Sequence, residues 1–81
     1  MEDRTAEQLV QDYSAMGDSV ALINAIIAGD SMADDIAANR QDCVDRNTQH
    51  LEIMKAKSDW GSEDFTATDA AISAGNGYTA S

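Results

Sequence analysis

Proline is absent from this 81-residue chain, and aromatic and basic residues are scarce. Without proline, nothing forces a break inside a long helix, and an architecture rich in loops or sheets is disfavoured. The four aromatic residues are Tyr13, Trp60, Phe65 and Tyr78, so large core side chains are few. A chain this short buries only about 60% of its unfolded surface. We therefore expect its stability to depend on long helix contacts, oligomerisation or a partner.

The single cysteine, Cys43, cannot form an internal disulfide, which indicates an intracellular protein. The first residues are acidic and no apolar run follows them, so we expect no secretory signal peptide. The most apolar cluster, residues 20–28, is far shorter than the roughly 20 residues that a membrane span requires. The sequence therefore predicts a protein that is neither secreted by a signal peptide nor embedded in a membrane.

Acidic residues outnumber basic ones by 15 to 5, which gives a formal net charge of −10. A protein that neutralises nucleic-acid phosphates should be basic, so direct nucleic-acid binding is disfavoured. The charge is segregated: residues 1–35 contain eight acids and one base, residues 36–57 three acids and four bases, and residues 58–81 four acids and no base. This pattern favours the middle segment as the neighbour of both flanks. The acidic surface indicates either a soluble, self-repelling protein or one that faces a basic partner.

The apolar spacing predicts an all-α fold that begins with two long helices. The first helix is predicted over about residues 6–28, because Thr5 and Gln8 have the spacing of a capping box and Gly29 follows the end. The second helix is predicted over about residues 32–57. The short connection between them predicts a long antiparallel helical hairpin.

A short third helix is predicted over about residues 62–74, and it should end at Gly75. A helix of this length is not stable alone, so it must dock on the hairpin. Its expected docking anchors are Trp60, Phe65 and Ile72. We expect a single small helical domain over residues 1–75 and a flexible tail over residues 76–81.

Apolar residues of the first helix recur at intervals of three and four, which is typical of a helix that packs lengthwise on other helices. These seam residues are Leu9, Tyr13, Met16, Val20, Ile23 and Ile27. The second helix offers a smaller and more polar stripe, in which Arg40 and Asn47 interrupt the apolar pattern and His50 lies beside it. Polar residues at such positions can set the register or the oligomeric state. Because the seam is richer in apolar side chains than this stripe can cover, we expect it to contact another copy or another protein.

Cys43 and His50 share a helical face, which raises the possibility of a thiolate nucleophile activated by an imidazole. They are two turns apart, about 10 Å along the helix axis, which is too far for proton transfer. His50 has no second ligand three or four residues away, and the acidic cluster at residues 30–35 lacks the spacing of a calcium loop. The sequence therefore predicts no catalytic residue, no metal, no cofactor and no enzyme activity.

The segment over residues 46–72 reads RNTQHLEIMKAKSDWGSEDFTATDAAI. It contains an Arg-Asn pair, a His-Leu-Glu-Ile-Met run, a Ser-Asp-Trp stretch, an acidic Glu-Asp pair and an alanine-rich end. In these features it resembles small uncharacterised acidic helical proteins of tailed bacteriophages. The resemblance covers about a third of the chain and contains no catalytic motif. It implies a phage origin and assigns no functional residue.

Three functions agree with these features. The favoured one is a non-enzymatic structural protein of the phage, a head or tail accessory component that docks by helix packing on itself or on a larger assembly protein. The first alternative is an acidic inhibitor that mimics nucleic acid and occupies a host defence or nucleic-acid-binding protein. The second alternative is a free-standing helical-bundle dimer with a regulatory role. We expect a location in the virion or host cytoplasm, an oligomeric or partner-bound state, and no contact with a membrane.

Overall fold

The computed structural model describes residues 3–80, and all regular structure within that range is helical. The helices are α1 (Ala6–Ala28), α2 (Asp34–Ala37), α3 (Arg40–Lys55) and α4 (Thr66–Asn76). The prediction of an all-α fold is therefore confirmed. The predicted domain begins at Met1 and Glu2 and the predicted tail ends at Ser81, and these three residues lie outside the described residues.

Helix α1 begins and ends where the sequence predicts, because local hydrogen bonds close both ends. The Gln8 backbone N–H donates to Thr5 Oγ1 at 3.1 Å, and the Thr5 backbone N–H donates to Gln8 Oε1 at 2.8 Å. These two bonds form the expected capping box. At the other end, Gly29 has a φ of 81°, which lets its own N–H and that of Asp30 donate to the last free carbonyl groups of the helix.

The prediction of one continuous helix over residues 32–57 is wrong, because the structure divides this segment into α2 and α3. The break lies at Asn39, whose φ of −134° and ψ of 38° are not helical. Asn39 Nδ2 donates to the carbonyl oxygen of Asp35 at 2.8 Å. Local side-chain bonds of this kind compete with the helical backbone pattern. Helix α3 then ends at Lys55, two residues before the predicted end.

The third predicted helix, over residues 62–74, begins later and ends later in the structure, as α4. Asp64 Oδ1 accepts hydrogen bonds from the backbone N–H and the hydroxyl of Thr66 at 2.9 and 2.6 Å. A carboxylate that binds the first free backbone N–H groups starts a helix just after itself. At the other end, α4 continues through Gly75 to Asn76 instead of stopping at the glycine.

Helix α1 packs against both α3 and α4, and α3 packs against α4. The buried residues are Met16, Ser19, Ile23 and Ile26 on α1, Val44, Thr48 and Leu51 on α3, and Thr68, Ala71 and Gly75 on α4. Their spacing of three and four on each helix is that of helices packed lengthwise. Because half of these residues are Ser, Thr, Ala or Gly, the helices approach each other closely.

Helices α3 and α4 approach each other closely where Gly75 faces Thr48. A Cβ atom on Gly75 would overlap Thr48 Oγ1 and would lie 3.1 Å from Thr48 Cβ. Thr48 is buried, and its hydroxyl oxygen has no hydrogen-bond partner among residues 3–80. A residue with a Cβ at this position would force Thr48 or one of the two helices to shift, which explains why Gly75 lies inside α4.

The residues that follow α4 lie against α3. Gln41 Nε2 donates to the carbonyl oxygen of Tyr78 at 3.1 Å, and the Ala80 backbone N–H donates to Gln41 Oε1 at 2.7 Å. One glutamine side chain thus binds two backbone groups of this segment. The single domain over residues 1–75 and the flexible tail over residues 76–81 stay predictions.

Candidate docking surface

Three aromatic side chains join α1 to the connection between α3 and α4. Tyr13, Trp60 and Phe65 meet edge to face, with ring centroids between 5.4 and 6.2 Å apart. Such pairs are worth about 0.5–1.5 kcal/mol each beyond the burial of their area. Trp60 Nε1 also donates to the carbonyl oxygen of Met54 at 2.8 Å, and the Tyr13 hydroxyl donates to that of Asp64 at 2.6 Å. These contacts hold the connection against the first half of α1.

Arg4 attaches the beginning of α1 to this aromatic cluster. Its guanidinium carbon lies 4.3 Å from the centroid of the Trp60 ring, in a cation–π contact. Arg4 Nε and the Arg4 backbone N–H donate to Asp59 Oδ2 at 3.0 and 2.9 Å, and Arg4 Nη1 donates to Asp12 Oδ2 at 2.8 Å. The hydrogen bonds from Arg4 hold the pKa of Asp59 well below its usual range, and the same bonds raise the pKa of Arg4. The positive charge of Arg4 is therefore paired with carboxylates of the same chain.

An open apolar groove runs along α1 beside the aromatic cluster. Its first part has a volume of about 420 Å³ and is lined by Ala6, Leu9, Val10, Tyr13, Ser14 and Glu63. Its second part has a volume of about 250 Å³ and is lined by Tyr13, Gly17, Val20, Asp64, Ala67 and Thr68. We name these residues the α1 groove. Val10, which lines the first part, is 69% exposed.

Helices α1 and α4, which border the α1 groove, contain acidic residues and no basic residue. The charged residues of α1 and of residues 58–80 are Glu7, Asp12, Asp18, Asp59, Glu63, Asp64 and Asp69. Glu63 Oε2 is shielded from water and has no hydrogen-bond partner in the part of the chain that the structure describes. Hydrogen bonds from the side chain and the backbone N–H of Thr66 lower the pKa of Asp64. The groove thus combines apolar side chains with negative charge.

The predicted seam of α1 is divided between the core and the surface. Met16 and Ile23 are fully buried. Leu9 and Val20 are half-buried. Tyr13 and Ile27 are exposed. The predicted seam contains Val20 and Ile27, but the buried residues at this level of α1 are their neighbours Ser19 and Ile26. Because the chain itself covers the buried pair, only the remaining seam residues can contact another molecule in the folded state.

Arg40, Asn47 and His50, which the sequence suggests as a polar interface, show no hydrogen bond to one another within residues 3–80. Arg40 is half-buried at the first position of α3, and His50 is exposed. Asn47 Nδ2 donates to the carbonyl oxygen of Cys43 at 2.7 Å, so its amide is bonded within its own helix. Within residues 3–80, the hydrogen bond of Asn47 is to its own helix and not to α1, and the role of Asn47 in setting the register stays a prediction.

The three docking anchors suggested by the sequence, Trp60, Phe65 and Ile72, are half-buried. All three pack against the central core cluster. That cluster consists of Met16, Ile23, Leu51 and Ala71. The anchors thus lie where α4 and the connection before it meet the rest of the chain.

Sequence reasoning missed three residues that shape this surface: Arg4, Val10 and Glu63. Arg4 is the only basic residue before Arg40, and this isolation is a signal for an internal ion pair. Val10 is an apolar residue directly after the seam residue Leu9. In a helix with a single buried stripe, a residue at this position faces solvent and is usually polar. No sequence signal identifies Glu63, because its shielding depends on how the connection before α4 folds against α1.

Among residues 3–80, no three His, Cys, Asp or Glu side chains are placed to hold a metal ion. No helix in this range combines the length and the apolar character that crossing a membrane requires. Comparison of the chain with protein-family models, with curated proteins and with solved structures gives no match.

Proposed function

We propose that this chain is a non-enzymatic docking protein whose α1 groove binds a component of a larger protein assembly. The observation that carries the proposal is the exposure of Val10 in an apolar groove that the chain's own helices leave uncovered. Apolar residues repeated along a helix, beside an open groove, suit recognition of a partner helix. A small substrate would instead need a pocket that encloses most of its surface.

The assembly in this proposal is the virion of a tailed phage, with the chain as a head or tail accessory component. The resemblance of residues 46–72 to small phage proteins supports this choice. In the proposal, the chain is partner-bound or oligomeric, needs no cofactor or metal, and makes no direct contact with nucleic acid. Its role is structural, as a helical element that joins the assembly through α1.

The proposal includes the antiparallel hairpin expected from the sequence, with α1 and α3 as its two helices. Arg4 precedes α1 and contacts Asp59, which follows α3. Tyr13, in the first half of α1, contacts Trp60, which also follows α3. Contacts between the beginning of one helix and the end of the other support opposite helix directions.

An acidic mimic of nucleic acid is the second candidate, and the net charge of −10 favours it. The ion pairs of the structure argue against it. Four carboxylates pair with basic residues of the same chain: Asp12, Asp42, Asp59 and Asp69. A mimic should instead present unpaired carboxylates along one continuous surface. We therefore rank it below the docking protein.

Quantitative mass spectrometry of particles purified from the source of this sequence tests the proposal. We expect the chain at a fixed stoichiometry relative to a major structural protein, and at that stoichiometry after a high-salt wash. Absence from particles together with tight binding to a basic host protein would favour the nucleic-acid mimic. Absence from particles together with a stable free dimer would favour the regulatory protein.

A further inference from the structure

We propose that the α1 groove binds a basic amphipathic helix of another protein. The apolar side chains of that helix would pack on Val10 and Tyr13, and one of its Lys or Arg side chains would pair with Glu63. This inference rests on the proposed docking function and states the chemistry of the partner.

The shape of the α1 groove determines the form of its occupant. The groove extends along α1 from Ala6 to Val20, a distance of about 21 Å at 1.5 Å per residue. A partner helix of about 14 residues has the same length. Its apolar residues would have to repeat at intervals of three and four, as the groove residues of α1 do.

The charge of the α1 groove determines the character of its occupant. Glu63 and Asp64 line the groove, and neither carboxylate forms an ion pair with a basic residue within residues 3–80. Helices α1 and α4, which border the groove, contain no basic residue. Arg4, the nearest basic residue in sequence to α1, is bonded to Asp59 and Asp12. Carboxylates without an ion-pair partner beside an apolar surface favour a partner that carries basic side chains.

A second copy of this chain is a poorer occupant than a basic helix. A closed two-fold contact would place α1 against α1, and all charged residues of α1 are acidic. Like charges facing each other across an interface disfavour it. The other strongly exposed apolar residue, Ile53, lies on α3 and lines neither part of the α1 groove.

A synthetic 14-residue helical peptide tests the inference with the full chain. The peptide has leucine at positions that repeat every three and four residues and lysine on both sides of this stripe. A second peptide keeps the leucines and replaces every lysine by glutamate. We expect amide chemical shifts of the α1 groove to change when the lysine peptide is added, and we expect its Kd to be at least ten-fold lower than that of the glutamate peptide.

Three exposed or part-exposed positions supply matched variants that should leave the fold intact. Val10→Ser should weaken binding of the lysine peptide ten-fold or more, while Ile53→Ser, an equivalent change outside the groove, should change the Kd less than two-fold. Glu63→Gln should weaken binding of the lysine peptide and leave the glutamate peptide unaffected or improved. Circular dichroism and urea denaturation of each variant confirm that it is folded.

Equal binding of the two peptides, or chemical shift changes centred on Ile53, would overturn the inference. Self-association of the chain that Val10→Ser abolishes would also overturn it, in favour of a second copy as the occupant. Failure of the inference is distinct from failure of the proposed function. If the chain is present in particles at a fixed stoichiometry and Val10→Ser does not reduce it, the docking function stands and this surface is rejected. If the lysine peptide binds in the groove but the chain is absent from particles, the surface stands and the virion role is rejected.

Discussion

Replacing Gly75 by alanine should destabilise the fold, although alanine is the better helix former by about 1 kcal/mol. The new Cβ would overlap Thr48 Oγ1 and would lie 3.2 Å from Thr48 Cγ2. Thr48 is buried, and a rotation that moves its Oγ1 away still leaves its Cβ 3.1 Å from the new atom. Overpacking of a core costs about 1–3 kcal/mol, and an overlap this close belongs at the upper end. The expected net loss in the free energy of unfolding is therefore about 2 kcal/mol.

Urea denaturation followed by the fluorescence of Trp60, the only tryptophan, measures this loss. In a chain of this size, a loss of about 2 kcal/mol lowers the Tm by about 8–16 °C. Gly17→Ala is the matched control, because Gly17 also lies inside a helix and a Cβ there meets no atom within 4 Å. The control should raise the free energy of unfolding by about 1 kcal/mol.

Adding Thr48→Ala to the Gly75→Ala variant tests the cause of the loss. Thr48→Ala removes Oγ1 and Cγ2, two of the three atoms nearest to the new Cβ, and leaves Thr48 Cβ at 3.1 Å. The double variant should recover most of the lost stability, with a coupling free energy of at least about 1 kcal/mol. Equal stabilisation by Gly75→Ala and Gly17→Ala, or additive effects in the double variant, would refute the close packing of α3 against α4.

Two other changes test the end of α1 and the contact that precedes it. Gly29→Ala should lower the free energy of unfolding by about 1–2 kcal/mol, because Gly29 has a φ of 81° that alanine adopts only with strain; unchanged stability in urea denaturation would contradict this. Arg4 holds the pKa of Asp59 below its unfolded value, so the stabilisation by this pair is present above about pH 4 and is lost as the pH falls through the folded-state pKa. Asp59→Asn should therefore lower stability at pH 7 and flatten the decline below pH 4, and a decline as steep as in the parent chain would disprove the role of the pair.

The limits of α1 were predictable because the residues that set them are close in sequence. Thr5 bonds with Gln8, and Gly29 follows the last helical residue, so each end depends on local chemistry alone. The break at Asn39 is also local, but the sequence does not show whether its side chain will compete with the helix. Gly75 resembles a helix end in sequence, and only its contact with Thr48 shows why a glycine lies inside α4.

The docking surface could be predicted only in part. Periodicity identifies α1 as the apolar helix, but it does not show which side of α1 the other helices cover. Ser19 and Ile26 lie in the core, whereas Val10 and Ile27 remain exposed, and this choice depends on how α3 and α4 pack. The small buried residues of α3 and α4 give no apolar signal, since their role is close approach and not hydrophobic volume.

Site-specific photo-crosslinking from position 10 tests the central claim most directly. A benzophenone amino acid replaces Val10 in the full chain, the chain assembles in its native cells, and mass spectrometry identifies the crosslinked peptide. The same amino acid in place of Ile53 is the control, because both positions are exposed and only Val10 lines the α1 groove. We expect a crosslink from position 10 to a helix of another protein that is rich in Lys or Arg, and little or none from position 53. Crosslinks from position 10 only to a second copy, or equal yields at both positions, would contradict the account.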